Sequence, residues 1–209
     1  MSAPKSETTA QAPASGQSEG NQINLKVGVL GALHAGKTSL LQRYINNRFG
    51  EQYLATLGVN FLTKSVQLKN ANVTFYLYDL GGQQEFQSML PIVCNDAACI
   101  IFCFDLTSKA SLVSLGDWYK QARALNQVAV PILVGTKYDL FSSMTEAEQR
   151  SMLESARAYA NAMNAPLVFS SSKYGIHINN IFKIALSKIF KINLNLERIS
   201  TLGEPILEY

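Results

Sequence analysis

Large apolar side chains are missing from the start of the chain and then arrive in short blocks. Residues 1–22 are mostly Ser, Ala, Gln, Pro, Gly, Thr and Glu, with no aliphatic residue larger than Ala apart from Met1. Such a segment cannot bury enough surface to offset its ordering entropy, so a disordered tail is expected. From Ile23 onward, Leu25, Val27 and Val29 alternate with polar or small residues and run into Gly31, which predicts a strand ending in a glycine turn. A helix is predicted over 38–48, then strands over 59–68 and 73–80 joined by the turn Lys69-Asn70-Ala71-Asn72. A continuous apolar run over 97–106 reads as a fully buried strand. Helix 112–125, strand 130–135, helix 145–163, strand 167–170 and helix 178–190 follow, the third helix opened by the capping-box spacing Thr145-x-x-Glu148. One hairpin followed by alternation of strand and helix predicts an α/β fold: a mostly parallel six-stranded sheet with one antiparallel strand and helices on both faces.

After Lys191 come Leu194, Leu196, Ile199, Leu202 and the ending Gly203-Glu204-Pro205-Ile206-Leu207-Glu208-Tyr209, too apolar for a floppy end. The expected division is a tail over 1–22, one domain over 23–191 and a C-terminal extension over 192–209 that packs on the domain or on a partner's scaffold. A length of 209 residues, 47% of them apolar and 16% charged, agrees with one globular core. The net charge of +3 is too weak to argue for nucleic acid or an anionic membrane as partner. No apolar run approaches the ~18 residues that span a bilayer, and the start lacks a signal-peptide core, so a cytoplasmic protein is expected. Cys94, Cys99 and Cys103 read as small hydrophobes in a reducing compartment.

The strongest chemical signal is Gly31-Ala32-Leu33-His34-Ala35-Gly36-Lys37-Thr38, a G-x-x-x-x-G-K-T loop between a predicted strand and a predicted helix. Backbone N–H groups of such a loop surround phosphate oxygens, Lys37 reaches the outer phosphates, and Thr38 offers its hydroxyl to Mg²⁺. Residues 34–39, that is His34, Ala35, Gly36, Lys37, Thr38 and Ser39, are therefore expected to bind nucleotide, His34 through its N–H rather than its ring. Thr136-Lys137-Tyr138-Asp139 follows strand 130–135, and a carboxylate there can accept from both donors on the guanine edge, which selects GTP over ATP. Ser171, Ser172 and Lys173, ending another strand in the same crevice, can hold the base oxygen through a backbone N–H. In Asp79-Leu80-Gly81-Gly82-Gln83, Asp79 can hold Mg²⁺ through water, Gly82 can offer its N–H to a γ-phosphate, and Gln83 can orient an attacking water as the catalytic residue.

Residues 23–191 with these motifs resemble a Ras-superfamily small GTPase, and the fold implied is the P-loop NTPase G domain. The resemblance places Phe49 where an aromatic ring stacks on guanine, and Thr56 where a switch threonine binds Mg²⁺ and γ-phosphate. Thr56-Leu57-Gly58-Val59-Asn60-Phe61 is similar to the Rab-like branch. Met89 to Asp96, Trp118 to Arg123, Gly135 to Asp139, Ile181 to Leu186 and Gly203 to Leu207 resemble the GTPases of the septation-initiation and mitotic-exit networks. Membership implies a GTP/GDP switch with Mg²⁺ that controls mitotic exit, septation and cytokinesis through a protein-kinase cascade. The implied partners are a GAP and its scaffold, an exchange factor and an effector protein kinase. The implied form is a monomer held at the spindle pole body or its equivalent by protein partners, since Ser2 replaces the myristoylated glycine and no cysteine follows Cys103 to carry a prenyl anchor.

Three residues depart from the pattern. Leu33 replaces a small residue beside the γ-phosphate position and is expected to slow hydrolysis by crowding Gln83 and a GAP arginine. Ala32 and Gln84 replace an Asp and an Arg. Thr136, in place of the more usual Asn, is shared by the subfamily. Two other readings share the phosphate loop: a hydrolysis-impaired GTP-bound scaffold, and a P-loop small-molecule kinase, for which neither a lid nor an acceptor site is visible.

Overall fold

The computed structural model describes residues 21–52, 54–68 and 70–209. The tail expected over 1–22 thus lies outside the described residues up to residue 20, and its last two residues are part of the sheet. Strand β1 (Asn21–Leu30) starts there, with Asn21 opposite Ala71 and the Gln22 amide donating to Thr74 Oγ1 at 3.1 Å. Polar residues extend this strand because backbone pairing with a neighbour does not require them to be buried.

Helix α1 (Lys37–Asn46) follows, ended early by Asn47 in the left-handed region, then β2 (Val59–Leu68) and β3 (Ala71–Leu80). The hairpin turn is tighter than expected: Ala71 pairs with Leu68 and Asn72 with Gln67, so both belong to β3. A 3₁₀ turn (Gln84–Met89) and short helix α2 (Leu90–Cys94) lead to β4 (Cys99–Asp105). The remaining elements are α3 (Lys109–Leu125), β5 (Val130–Thr136), α4 (Tyr138–Phe141), α5 (Glu146–Met163), β6 (Leu167–Phe169), α6 (Ile178–Phe190) and β7 (Leu207–Glu208). Ser108 caps α3, which starts three residues before the predicted start, and Thr145 and Glu148 form the expected reciprocal capping box on α5.

The sheet order is β2-β3-β1-β4-β5-β6-β7. The interior pairs are parallel; β2 runs antiparallel to β3, and β7 antiparallel to β6. The expected sheet, mostly parallel with an antiparallel β2, is therefore present, with a seventh strand drawn from the C-terminal extension. β4 shows why helices cover both faces. Ile100, Phe102 and Phe104 join one core with α2, α3 and α5, while Cys99, Ile101 and Cys103 join the other with α1 and α6. All three cysteines are buried as free thiols, and burial pushes Cys94 up to about 11 and Cys103 up to about 12, so they behave as hydrophobes. Ile206 sits in the first core and Leu207 in the second, so the extension is an integral part of the domain.

Candidate functional site

β1, β3, β4, β5 and β6 all point their carboxyl ends at one rim, where an open parallel sheet receives ligands. A cavity of about 550 Å³ lies there. Its lining includes His34 to Ser39, Phe49, Thr56, Gly82, Thr136, Lys137, Asp139, Ser172 and Lys173, which brings together residues from five separate segments of the chain. Asp79, Gln83 and Ser171 do not line it.

At one end the phosphate loop curls around Lys37, whose ammonium donates to the carbonyls of Gly31 and Ala32, both at 2.9 Å. Burial lowers the Lys37 pKa and raises that of Asp79, and in each case the charge of the other opposes the shift. The Thr38 hydroxyl lies 2.7 Å from the Thr56 hydroxyl and donates to Asp79 Oδ2 at 2.5 Å. Asp79 Oδ1 is buried without a hydrogen-bond partner among the described residues. Two hydroxyls and a carboxylate with an unused acceptor form an all-oxygen donor set, which suits a hard divalent cation. Gly82 sits against the phosphate loop: a Cβ there would come within 2.3 Å of Leu33 N and 2.5 Å of Ala32 O, so no other residue fits. Gln83 Oε1 is buried and unpartnered among the described residues.

At the other end, Asp139 Oδ1 accepts from the Ser171 hydroxyl at 2.6 Å, which orients the carboxylate. Lys137, at a left-handed φ of 59°, reaches back to Asp105 Oδ2 at 2.6 Å. Thr136 lines the cavity, and its hydroxyl lies within hydrogen-bond reach of Ala35 O at 2.9 Å and Phe104 O at 3.0 Å, tying β5 to the phosphate loop. Phe49 is partly exposed on the cavity rim.

The Gly31–Thr38 loop and Asp139 thus face one cavity. The model of the Ras family matches residues 26–191. The chain belongs to the Ras family. Among its curated relatives, septum-promoting GTP-binding protein 1 of Schizosaccharomyces pombe is 48% identical over 189 residues, 90% of this chain and 96% of the relative. Ras-related protein Rab-21 of Bos taurus is 31% identical over 175 residues, covering 83% and 76% of the two chains. Ras-related protein Rab5 of Nicotiana tabacum is 32% identical over 163 residues, covering 78% and 79%. Ras-family proteins bind guanine nucleotides and generally hydrolyse GTP, with GAPs, exchange factors and effectors as their usual partners.

Two residues that hold this Ras-family site were missed in the sequence. Arg43, on α1, donates through Nε to the Ser172 carbonyl at 2.5 Å and through its terminal nitrogen to the Lys173 carbonyl, tying α1 to the loop that carries both. Tyr138 sits between Lys137 and Asp139 and is buried, which an apolar tally of that motif would have flagged. Among the described residues no helix is long and apolar enough to cross a membrane.

Proposed function

We propose that this Ras-family protein is a GTP/GDP switch with Mg²⁺ that promotes septation and mitotic exit through a protein-kinase cascade. The observation carrying the nucleotide reading is that Asp139 and the Lys37 loop face one cavity from opposite ends, at the carboxyl rim of one sheet. Asp139, held by Ser171, accepts from the guanine edge. The N–H groups of residues 34–39 and the Lys37 ammonium receive the phosphates, with Phe49 beside the base. Thr38, Thr56 and Asp79 supply the oxygens for Mg²⁺, which when bound neutralises phosphate charge. Gly82 offers its N–H toward the terminal phosphate, and Gln83 orients the water that takes the phosphoryl group, leaving GDP. Gln83 must swing from its buried position to do so. Leu33 borders the same space, so intrinsic hydrolysis is slow and response to a GAP weak.

Asp139→Asn tests the base assignment. Exchanging acceptor for donor should lower GTP affinity roughly ten- to hundredfold, for a charged hydrogen bond of ~1.5–3 kcal/mol, and raise xanthosine triphosphate affinity. Unchanged GTP binding by calorimetry rejects it. The septation reading draws on the 48% identity with septum-promoting GTP-binding protein 1. Its tests are rescue of septation in S. pombe cells lacking that relative and enrichment of the tagged protein at spindle poles; failure of rescue at matched expression removes the support.

A further inference from the structure

The segment from Gly203 to Leu207 crosses the base end of the cavity from behind and touches both guanine-side loops. Tyr138, inside the 136–139 motif, donates its phenol hydrogen to the Gly203 carbonyl at 2.5 Å. The His177 Nε2 lies 3.0 Å from the Pro205 carbonyl, and the Phe169 N–H donates to the Ile206 carbonyl at 2.8 Å. Phe169 and His177 bracket the loop that carries Ser171, Ser172 and Lys173, which is itself closed by the Ser171–Ile176 bridge. The two loops also meet directly, Tyr138 N–H donating to Ser170 O at 3.0 Å. Three carbonyls of one five-residue strap thus accept from groups that flank or belong to both base-reading segments, and Ile206 and Leu207 anchor the strap in the two cores.

We infer that this strap, acting through Tyr138, is a positioning element for guanine: it holds Asp139 and the Ser171 loop in register and so sets how long the nucleotide stays bound. The inference rests on the reading that this end of the cavity takes the base. A carboxylate that must meet two donors on one base edge tolerates little displacement, and Tyr138 is the immediate neighbour of Asp139 in the chain. With the strap in place the loops are preorganised. With it lifted, they keep their covalent sequence but lose the bonds that fix their separation. Tyr138 does not touch the cavity, so its role is to position and not to bind.

The test uses the full chain with Tyr138→Phe, which keeps the ring packed and removes only the hydroxyl, and Gly203→Ala, which strains the strap at its φ of 88° without altering Tyr138. Fluorescent GDP and inosine diphosphate, which lacks the exocyclic amine read by Asp139, are displaced from each, and melting is recorded in parallel. Tyr138→Phe should speed GDP release about five- to tenfold, as one lost hydrogen bond allows, and compress the preference for GDP over inosine diphosphate. Gly203→Ala should move both readouts in the same direction. Ile184→Val, in the core on the opposite face of the sheet from Tyr138, controls for plain loss of stability and should lower melting without changing that preference. Lower melting with unchanged GDP release and unchanged base preference in both strap variants overturns the inference. If Tyr138→Phe does not fold, Gly203→Ala decides alone on the same criteria. Failure of the unaltered protein to bind GDP would instead reject the guanine reading itself.

Discussion

The two ends of the proposed nucleotide cavity are built to different standards of restraint. Behind the base end, Asp139, Ser171, Arg43, Tyr138 and the strap interlock through hydrogen bonds that span up to 130 positions of sequence. At the phosphate end, the described residues of 49–58 and 81–83 make fewer such long-range ties. Leu54 is 81% and Leu57 78% exposed, the Thr56 hydroxyl meets Thr38, and one backbone bond from Gly81 N to Gly58 O at 2.9 Å joins the two segments. This asymmetry suits the proposed switch. One end must hold the base through the cycle, and the other must exchange contacts when the terminal phosphate arrives or leaves, which is feasible only where few contacts have to break.

The contrast is most directly broken by removing residues 203–209. Ile206 and Leu207 are almost fully buried, and burial of each such side chain is worth ~1.5–3 kcal/mol, so the loss should be about 3–6 kcal/mol against a total of ~5–15 for an ordinary domain. Urea unfolding should show a much lower midpoint; a midpoint unchanged within error would mean that the segment is decoration. At the phosphate end, Leu33→Gly sharpens the comparison. It should raise GAP-stimulated turnover by about tenfold or more while leaving GTP affinity nearly unchanged, because the loop's N–H groups and Lys37 remain. Single-turnover hydrolysis with and without a GAP reads this, and full stimulation of the unaltered protein would show that Leu33 is accommodated.

Placement was legible where the signal is local. The Gly31–Thr38 loop occupies eight consecutive positions between a strand and a helix, and Thr136 to Asp139 four, and residues of both segments line one cavity. β7 was invisible for the opposite reason: two residues have no measurable alternation, and their pairing with Leu167 and Val168 spans about 40 positions. Thr136 marks the same limit. Its place in the motif is local, but the tie its hydroxyl makes to Ala35 O, 101 residues away in sequence, is not.

A smaller effect should appear at His177. Its Nδ1 faces the Asn180 amide at 3.0 Å and its Nε2 faces Pro205 O, an arrangement satisfied by the neutral ring with hydrogen on Nε2. Burial holds its pKa below the ordinary 6.5, partly opposed by the Pro205 bond. The unfolded chain therefore binds the proton more readily: this contribution to stability is full above the unfolded value and is lost as pH falls toward the folded one. Melting temperature measured from about pH 7.5 to 5.5 should decline less steeply in His177→Asn, which tolerates the left-handed backbone, than in the unaltered protein. Parallel slopes would remove His177 from the pH response.

β7 also bears on solubility. β6 is three apolar residues, Leu167, Val168 and Phe169, all buried, and without β7 its outer row of N–H and C=O groups would be an unprotected sheet edge. Short, hydrophobic, uncharged edges of that kind recruit strands from other molecules. On the far side of the sheet, β2 protects itself, with Lys64 among its exposed and half-exposed residues. Any event that peels β7 away, whether heat, proteolysis or a competing partner, therefore uncovers an adhesive edge, and self-association should be the first visible sign that the segment has come loose.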